Sequence, residues 1–404
     1  MDYLDKQIDE IAETRTLRGY GAALALTNAV TGLAWQSDQP LGQILGRGKP
    51  AVCWPFFESC SSWRLLTSDA VGWLVAGFVF VAIVNAALFV EKQQTKYGWW
   101  LLLAMTATKC AILMQDFRLT LNQHYMALWI TLAFLLVPAK KWFLPRLIVA
   151  FYFGAGLLKL NHGWLSGSGL YGLRPFSMPE QLVPLACGYV VALELFIVFG
   201  LLARTRWIVW AALLQLVIFH TGSFWVVGFF YPILMFLILS IIPLLLLNVG
   251  SEIAAQDLMK YSIQRRHTLG YLVLTTFFVM QAIPRLFPGD STITGEGRVF
   301  ALNMFDAPVQ CIATAMLHDS GTARTIRLGA PLMQPRLACD PIMYLEIAKG
   351  LCRDSVVSSD TFDLHLESRK AGDLNYKTVV DVPAFCSTNT RYSFWHHNSW
   401  IRVR

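Results

Sequence analysis

The chain is poor in charge. Of its 404 residues only 15% are Asp, Glu, Lys or Arg, against about 25% in ordinary soluble domains. Hydrophobic residues make up 55%, and the mean hydropathy is +0.48. An ordinary soluble protein is excluded, and an integral membrane protein remains. The soluble-enzyme motifs are missing too: no Walker-type phosphate loop, no Gly-x-Ser-x-Gly, no His-Glu-x-x-His. Gly295-Glu296-Gly297 does not replace the first, because no strand precedes it and no helix of the required pattern follows. There is no repeat, no low-complexity tract and no signal-peptide pattern at the N-terminus. No paired Cys-x-x-Cys occurs, and Cys53 and Cys60 are too far apart for a zinc knuckle, so no metal is expected. The net charge of +7 would suit nucleic acid, but the basic residues sit between apolar runs, where topology accounts for them. No nucleic-acid partner is expected.

What is present is a series of apolar runs. A spanning helix needs about 20 mostly apolar residues. Such runs fall near 19–36, 70–90, 98–115, 122–138, 143–160, 182–203, 206–221, 224–248 and 268–287. The pattern predicts a mainly α fold: a multi-pass transmembrane bundle of about nine helices over 19–287. Ahead of it, 1–18 carries Leu4, Ile8 and Ile11 at helical spacing among acids and bases, an amphipathic helix for the membrane surface. Behind it lies a smaller β-rich extramembrane domain, 288–404. There, Phe362–Ser368 and Lys377–Val382 alternate like strands, and 340–351 reads as a helix. The aromatic end, Tyr392 to Trp400, suits a membrane interface.

Alternate loops are basic: Lys92 and Lys96; Lys140, Lys141 and Arg146; Arg204 and Arg206; Lys260, Arg265 and Arg266. The positive-inside rule places them, with the N-terminus, in the cytoplasm, and an odd number of spans puts the tail outside. Cys53, Cys60, Cys311, Cys339, Cys352 and Cys386 then all face the oxidising side and are disulfide candidates of undetermined pairing. Cys110 and Cys187 lie within spans, as inert packing residues.

The same topology brings three titratable groups to one depth near the outer leaflet. Lys159 ends the fifth span, His124 begins the fourth and His220 ends the seventh. Burial penalises a charged amine, so a lysine there can be neutral and accept a proton. A lysine at a helix end can equally snorkel to the headgroups. As a helix-end residue Lys159 is expected to contribute little packing, so its removal as a base would abolish turnover while leaving folding and membrane insertion intact. The histidines can be interfacial or hydrogen-bonded core residues instead. Glu194 and Lys109 also lie inside spans and rank below these three. Gly154, Ala155 and Gly156 permit close helix approach or leave room for a flat ligand.

The run FYFGAGLLKLNHGWLSG, from Phe151 to Gly167, resembles the signature of the vitamin K-dependent γ-glutamyl carboxylase superfamily, which includes the bacterial horizontally transferred transmembrane domain proteins. Asn122-Gln123-His124-Tyr125, the run from Phe219 and His220 to Pro232, and 297–304 resemble further family segments. The likeness spans nearly the whole chain. Leu158 stands where the animal enzymes carry a second lysine, and most of their large lumenal part has no counterpart here. The resemblance implies a carboxylase-like lyase of a cytoplasmic membrane, bacterial in type. Reduced vitamin K, a naphthoquinol, would be the cofactor, with O2 and CO2 as co-substrates and no metal. Epoxidation of the quinol would drive proton removal from, and carboxylation of, a glutamate in an exported peptide or small acid. Lys159 would be the base, with His124 and His220 polarising quinone oxygens or the carboxylate. Trp164 would wall the pocket, and Asn122, Gly156 and His162 would lie around the quinone. Membrane lipid would be the other partner. Two further readings stand beside this one: maturation or export of a secreted peptide by other chemistry, and a non-enzymatic quinone- or lipid-binding scaffold.

Overall fold

A computed structural model describes residues 2–168, 178–247, 267–302, 309–319, 322–329, 337–353, 362–370 and 372–403. Lys260, Arg265 and Arg266 of the last basic loop, and the end of the 297–304 segment, lie outside the described residues.

The protein is mainly helical. After α1 (Asp2–Ala12) come α2 (Arg15–Ala34), α3 (Ser68–Val90), α4 (Thr95–Leu113), α5 (Asn122–Leu136) and α6 (Lys140–Leu158). Then follow the helical spans α7 (Glu180–Leu202), α8 (Arg206–Val227), α9 (Phe230–Leu247) and α10 (Thr268–Leu286). Six of these, α3 and α6–α10, are long and apolar enough to cross a membrane. They expose large apolar side chains such as Trp73, Phe80, Ile83, Trp207, Leu214 and Leu272, an arrangement that suits hydrocarbon rather than water. The helices α2, α4 and α5 occupy the other three predicted runs but are shorter or more polar. All share one core, in which Leu24, Phe134, Phe143, Phe151 and Met235 are buried.

One predicted boundary moves. The runs 206–221 and 224–248 put a break at 222–223, yet α8 runs through it. The Thr221 hydroxyl donates to the Val217 carbonyl at 2.8 Å and the Ser223 hydroxyl to that of His220 at 2.7 Å, so both turn back onto their own helix. The break falls at Gly228, whose φ of 74° suits glycine. His220 therefore lies inside its helix, two turns before the end, instead of closing it.

The two ends of the bundle differ. At one end α1 lies across the basic loops. Its Ile8 and Ile11 are buried, while Glu13 is 2.8 Å from Lys92 and Asp5 3.7 Å from Lys96. Lys140 Nζ, fully buried, donates to Gln7 at 2.6 Å and Glu10 at 3.3 Å. The amphipathic helix thus covers Lys140, pairs at its edge with the exposed Lys92 and Lys96, and buries its apolar side against protein. At the other end sits the tail, a four-stranded antiparallel sheet of order β2-β1-β3-β4. Its strands are β1 (Val309–Asp319), β2 (Thr322–Arg327), β3 (Phe362–Lys370) and β4 (Lys377–Val382). Along β3 Phe362, Leu364 and Leu366 point inward, with period two. They pack on the amphipathic helix α11 (Pro341–Arg353) through Ile342, Leu345 and Ala348. Val52, Trp54 and Phe117 from the bundle's loops join the same core.

The six candidate cysteines stand in disulfide geometry as Cys53–Cys60, Cys311–Cys339 and Cys352–Cys386, with Cα–Cα separations of 5.5, 5.5 and 5.6 Å. Glu296, between two glycines of positive φ, is fully buried. It accepts from the backbone and side chain of Asn398 at 2.7 and 2.8 Å, and from His397 Nδ1 at 2.8 Å. The Gly295–Gly297 turn is thus the clamp that holds the aromatic C-terminal segment.

Candidate functional site

Lys159 caps α6 at its C-terminal end, towards the tail domain, and its side chain is 1% exposed. It does not snorkel. Its Nζ lies 2.5 Å from both carboxylate oxygens of Glu194, itself 1% exposed. Gly156 makes this possible: a Cβ there would sit 2.8 Å from Leu195 and 3.0 Å from Glu194. The missing side chain brings α7 against α6 and delivers Glu194 to the lysine. The space is filled by protein, so Gly156 does not leave room for a flat ligand.

Tyr152, Gly156 and Lys159 follow at intervals of four and three, which sets them on one face of α6. Tyr152 Oη and His220 Nε2 are 2.5 Å apart, and His220 is fully buried. Rings of Phe219, Tyr231 and Phe236 surround this imidazole at 4.9, 5.3 and 6.1 Å. Its Nδ1 has no hydrogen-bond partner among the described residues. Tyr152 and Lys159 share a face of α6, so the Tyr152–His220 contact and the Lys159–Glu194 pair lie along one side of that helix. Trp164 lies beside the pair. Its ring centre is 5.4 Å from Lys159 Nζ and its indole donates to the Cys187 carbonyl at 3.1 Å. Asn161 caps the short helix that carries Trp164, accepting from the Trp164 N–H at 2.9 Å.

His124 stands apart. Its Nε2 faces Gln39 Oε1 at 3.3 Å, and its ring packs on Trp35 and Phe230. Phe230 and Tyr231 are neighbours at the start of α9, so the two histidines pack on adjacent residues there without meeting. Around His124 a cavity of about 10 Å³ is lined by Asn28, Thr106, Lys109 and Thr131, room for a single water. Lys109, also buried, donates to Thr31 at 2.9 Å and has no carboxylate partner among the described residues. Asn122 opens α5 and is half-buried, and His162 is exposed. Among the described residues no hydrogen bond joins either of them to Lys159 or Glu194.

Among the described residues no group of three or more His, Cys, Asp or Glu side chains could hold a metal ion. Of the sequence candidates, the structure unites Lys159, His220, Trp164 and Gly156. It adds Glu194, which ranked too low, and Tyr152, which was not singled out. The signal for Tyr152 was its seven-residue spacing from Lys159. The signal for Glu194 was the lysine itself, because a buried charge calls for a counter-charge.

Comparison with protein-family models, curated proteins and solved structures finds no match to the chain.

Proposed function

We propose that the chain is a membrane-embedded, vitamin K-type carboxylase-like enzyme, and that Lys159, Glu194, Tyr152 and His220 are its proton-handling site. The observation that carries this reading is the buried Lys159–Glu194 pair beside a short Tyr152–His220 contact, within the motif that resembles the family signature. The residues suit a hydroquinone: a buried imidazole nitrogen without a partner among the described residues, ringed by aromatic side chains. A reduced naphthoquinone, when bound, supplies the oxygen-driven base that removes a proton from a glutamate γ-carbon, with CO2 as the second co-substrate.

The chain's own part is to hold and move protons. In the Lys159–Glu194 pair one proton can sit on the amine or on the carboxylate. With the proton on Glu194, the Lys159 amine has a free lone pair and can accept another. Tyr152 and His220 orient each other, and Trp164 keeps water from the amine. His124 acts elsewhere, at the Gln39 side of the bundle. In the membrane we read nine spans, with α1 and the basic loops cytoplasmic and the disulfide-bonded tail extracytoplasmic, open to an exported peptide or small acid. Reporter fusions after Arg206 and after Arg404 should accordingly report opposite sides; same-side signals would overturn this topology.

The saturation of Lys159 by Glu194 also favours a second reading, a quinone- or lipid-binding scaffold in which the pair is structural. One experiment separates the two. The protein is reconstituted in liposomes with a naphthoquinol and O2, and epoxide formation is followed. The enzyme reading expects turnover in the parent protein and none in a folded Lys159→Arg variant, because arginine keeps its proton. Turnover by Lys159→Arg would remove Lys159 as the base. No turnover by the parent protein supports the scaffold.

A further inference from the structure

The tail domain carries a cleft of about 240 Å³ that the site above does not use. It lies between α11 and residues 385–391, which the Cys352–Cys386 disulfide ties together, and Glu58 of the first outer loop borders it. Glu346 is one of its lining residues and is 1% exposed. One of its oxygens, Oε1, accepts from Lys349 Nζ at 2.9 Å, and Lys349 also reaches Glu58 at 3.1 Å. The other, Oε2, is buried and has no partner among the described residues. Burial pushes the Glu346 carboxyl up, and Lys349 acts to pull it back. A buried acceptor left unmatched is costly and marks a place where a donor belongs.

The rim has the opposite need. Arg353 and Arg391 are exposed. Each donates through Nε to a neutral oxygen, of Lys349 and of Asn389, and neither is ion-paired among the described residues. A simple anion would satisfy the arginines but be repelled by the two glutamates. A simple cation would satisfy Glu346 and be repelled at the rim.

We propose that this cleft binds a small zwitterion of the amino-acid type, with its ammonium on Glu346 Oε2 and its carboxylate at Arg353 and Arg391. The volume accepts a free amino acid or a dipeptide. The proposal rests on the cleft alone and is independent of the role of Lys159.

The test is saturation-transfer NMR on the full chain in detergent micelles, with glycylglycine as probe. N-acetylglycylglycine lacks the ammonium and glycylglycinamide lacks the carboxylate. Glycylglycine is expected to bind, and each blocked probe to bind at least about tenfold more weakly. Glu346→Gln should weaken glycylglycine by a similar factor, as should Arg353→Ala combined with Arg391→Ala. The arginines are exposed, so that variant keeps the fold even if Glu346→Gln does not. Absence of glycylglycine binding would overturn the proposal. Equal binding of the acetylated probe would reduce the cleft to an anion site, and equal binding of the amide to a cation site; either outcome also overturns it.

Discussion

Glu194→Ala is expected to cost the fold about 3–5 kcal/mol, because it removes the buried carboxylate that both holds and neutralises the buried Lys159 ammonium. Lys159→Ala should cost a similar amount for the mirror reason, with Glu194 left unpaired. This reverses what the sequence suggested, where a helix-end lysine contributed little and could be removed freely. The difference is burial: both side chains are 1% exposed and each is the other's ion-pair partner. A double replacement, Lys159→Met with Glu194→Leu, should recover most of the loss, since apolar residues of similar size often substitute for a buried ion pair at no net cost. Thermal unfolding of the four proteins in one detergent gives the cycle. Single variants as stable as the parent would show that the pair is not maintained in the membrane. If the double variant is stable but inactive, the pair serves chemistry rather than folding. Loss of activity in Lys159→Ala alone cannot be read as catalysis, because that variant is also destabilised. For this reason Lys159→Arg, which can keep the ion pair, is the variant that tests the base.

Much of the architecture was legible because hydropathy and alternation are local signals. The apolar runs, the amphipathic first helix and strands β3 and β4 are each written within a few residues. The break between α8 and α9 was misplaced for an equally local reason. Thr221 and Ser223 look polar in sequence, but their hydroxyls are satisfied by their own helix. The site was legible only along one helix. Tyr152, Gly156 and Lys159 share a face of α6 by spacing alone, whereas Glu194 sits twelve residues into its predicted run while Lys159 ends its own, so the two seemed to lie at different depths. The pairing depends on the close approach at Gly156, a tertiary fact. His124 and His220 pack on the adjacent residues Phe230 and Tyr231, but run boundaries alone do not fix which partner each one meets. The tail disulfides were likewise beyond reach, because Cys311–Cys339 and Cys352–Cys386 follow from sheet and helix placement rather than from spacing.

Asp116→Ala should be the most damaging single change outside the membrane helices, at about 3–5 kcal/mol or more. Asp116 is fully buried and serves two buried arginines at once. Its Oδ2 meets Arg64 Nη2, and also accepts from Arg118 Nη2 at 2.9 Å and the Val52 N–H at 3.2 Å. Its Oδ1 accepts from the Arg118 N–H and Nε, both at 2.9 Å. Burial pulls the Arg64 guanidinium below its ordinary value, and Asp116 acts against that pull. Without the carboxylate two guanidiniums stay buried with only carbonyls as partners. Arg64→Ala should be milder, because Asp116 keeps Arg118. Arg64→Lys should still fail in part, since one ammonium cannot match a fork that reaches the Ile44, Lys49 and Pro50 carbonyls together with the carboxylate. The damage should also travel inward. Gln39 donates to the Arg118 carbonyl at 3.1 Å while its Oε1 faces His124, so the loop and the bundle are joined through one side chain. Proteolysis should therefore cut the 46–66 loop faster in Asp116→Ala, and the NMR signal of the His124 ring should shift, while that of His220, held by Tyr152, stays in place. An Asp116→Ala protein that melts like the parent would show that the two arginines find other partners and that Asp116 does not hold the loop to the bundle.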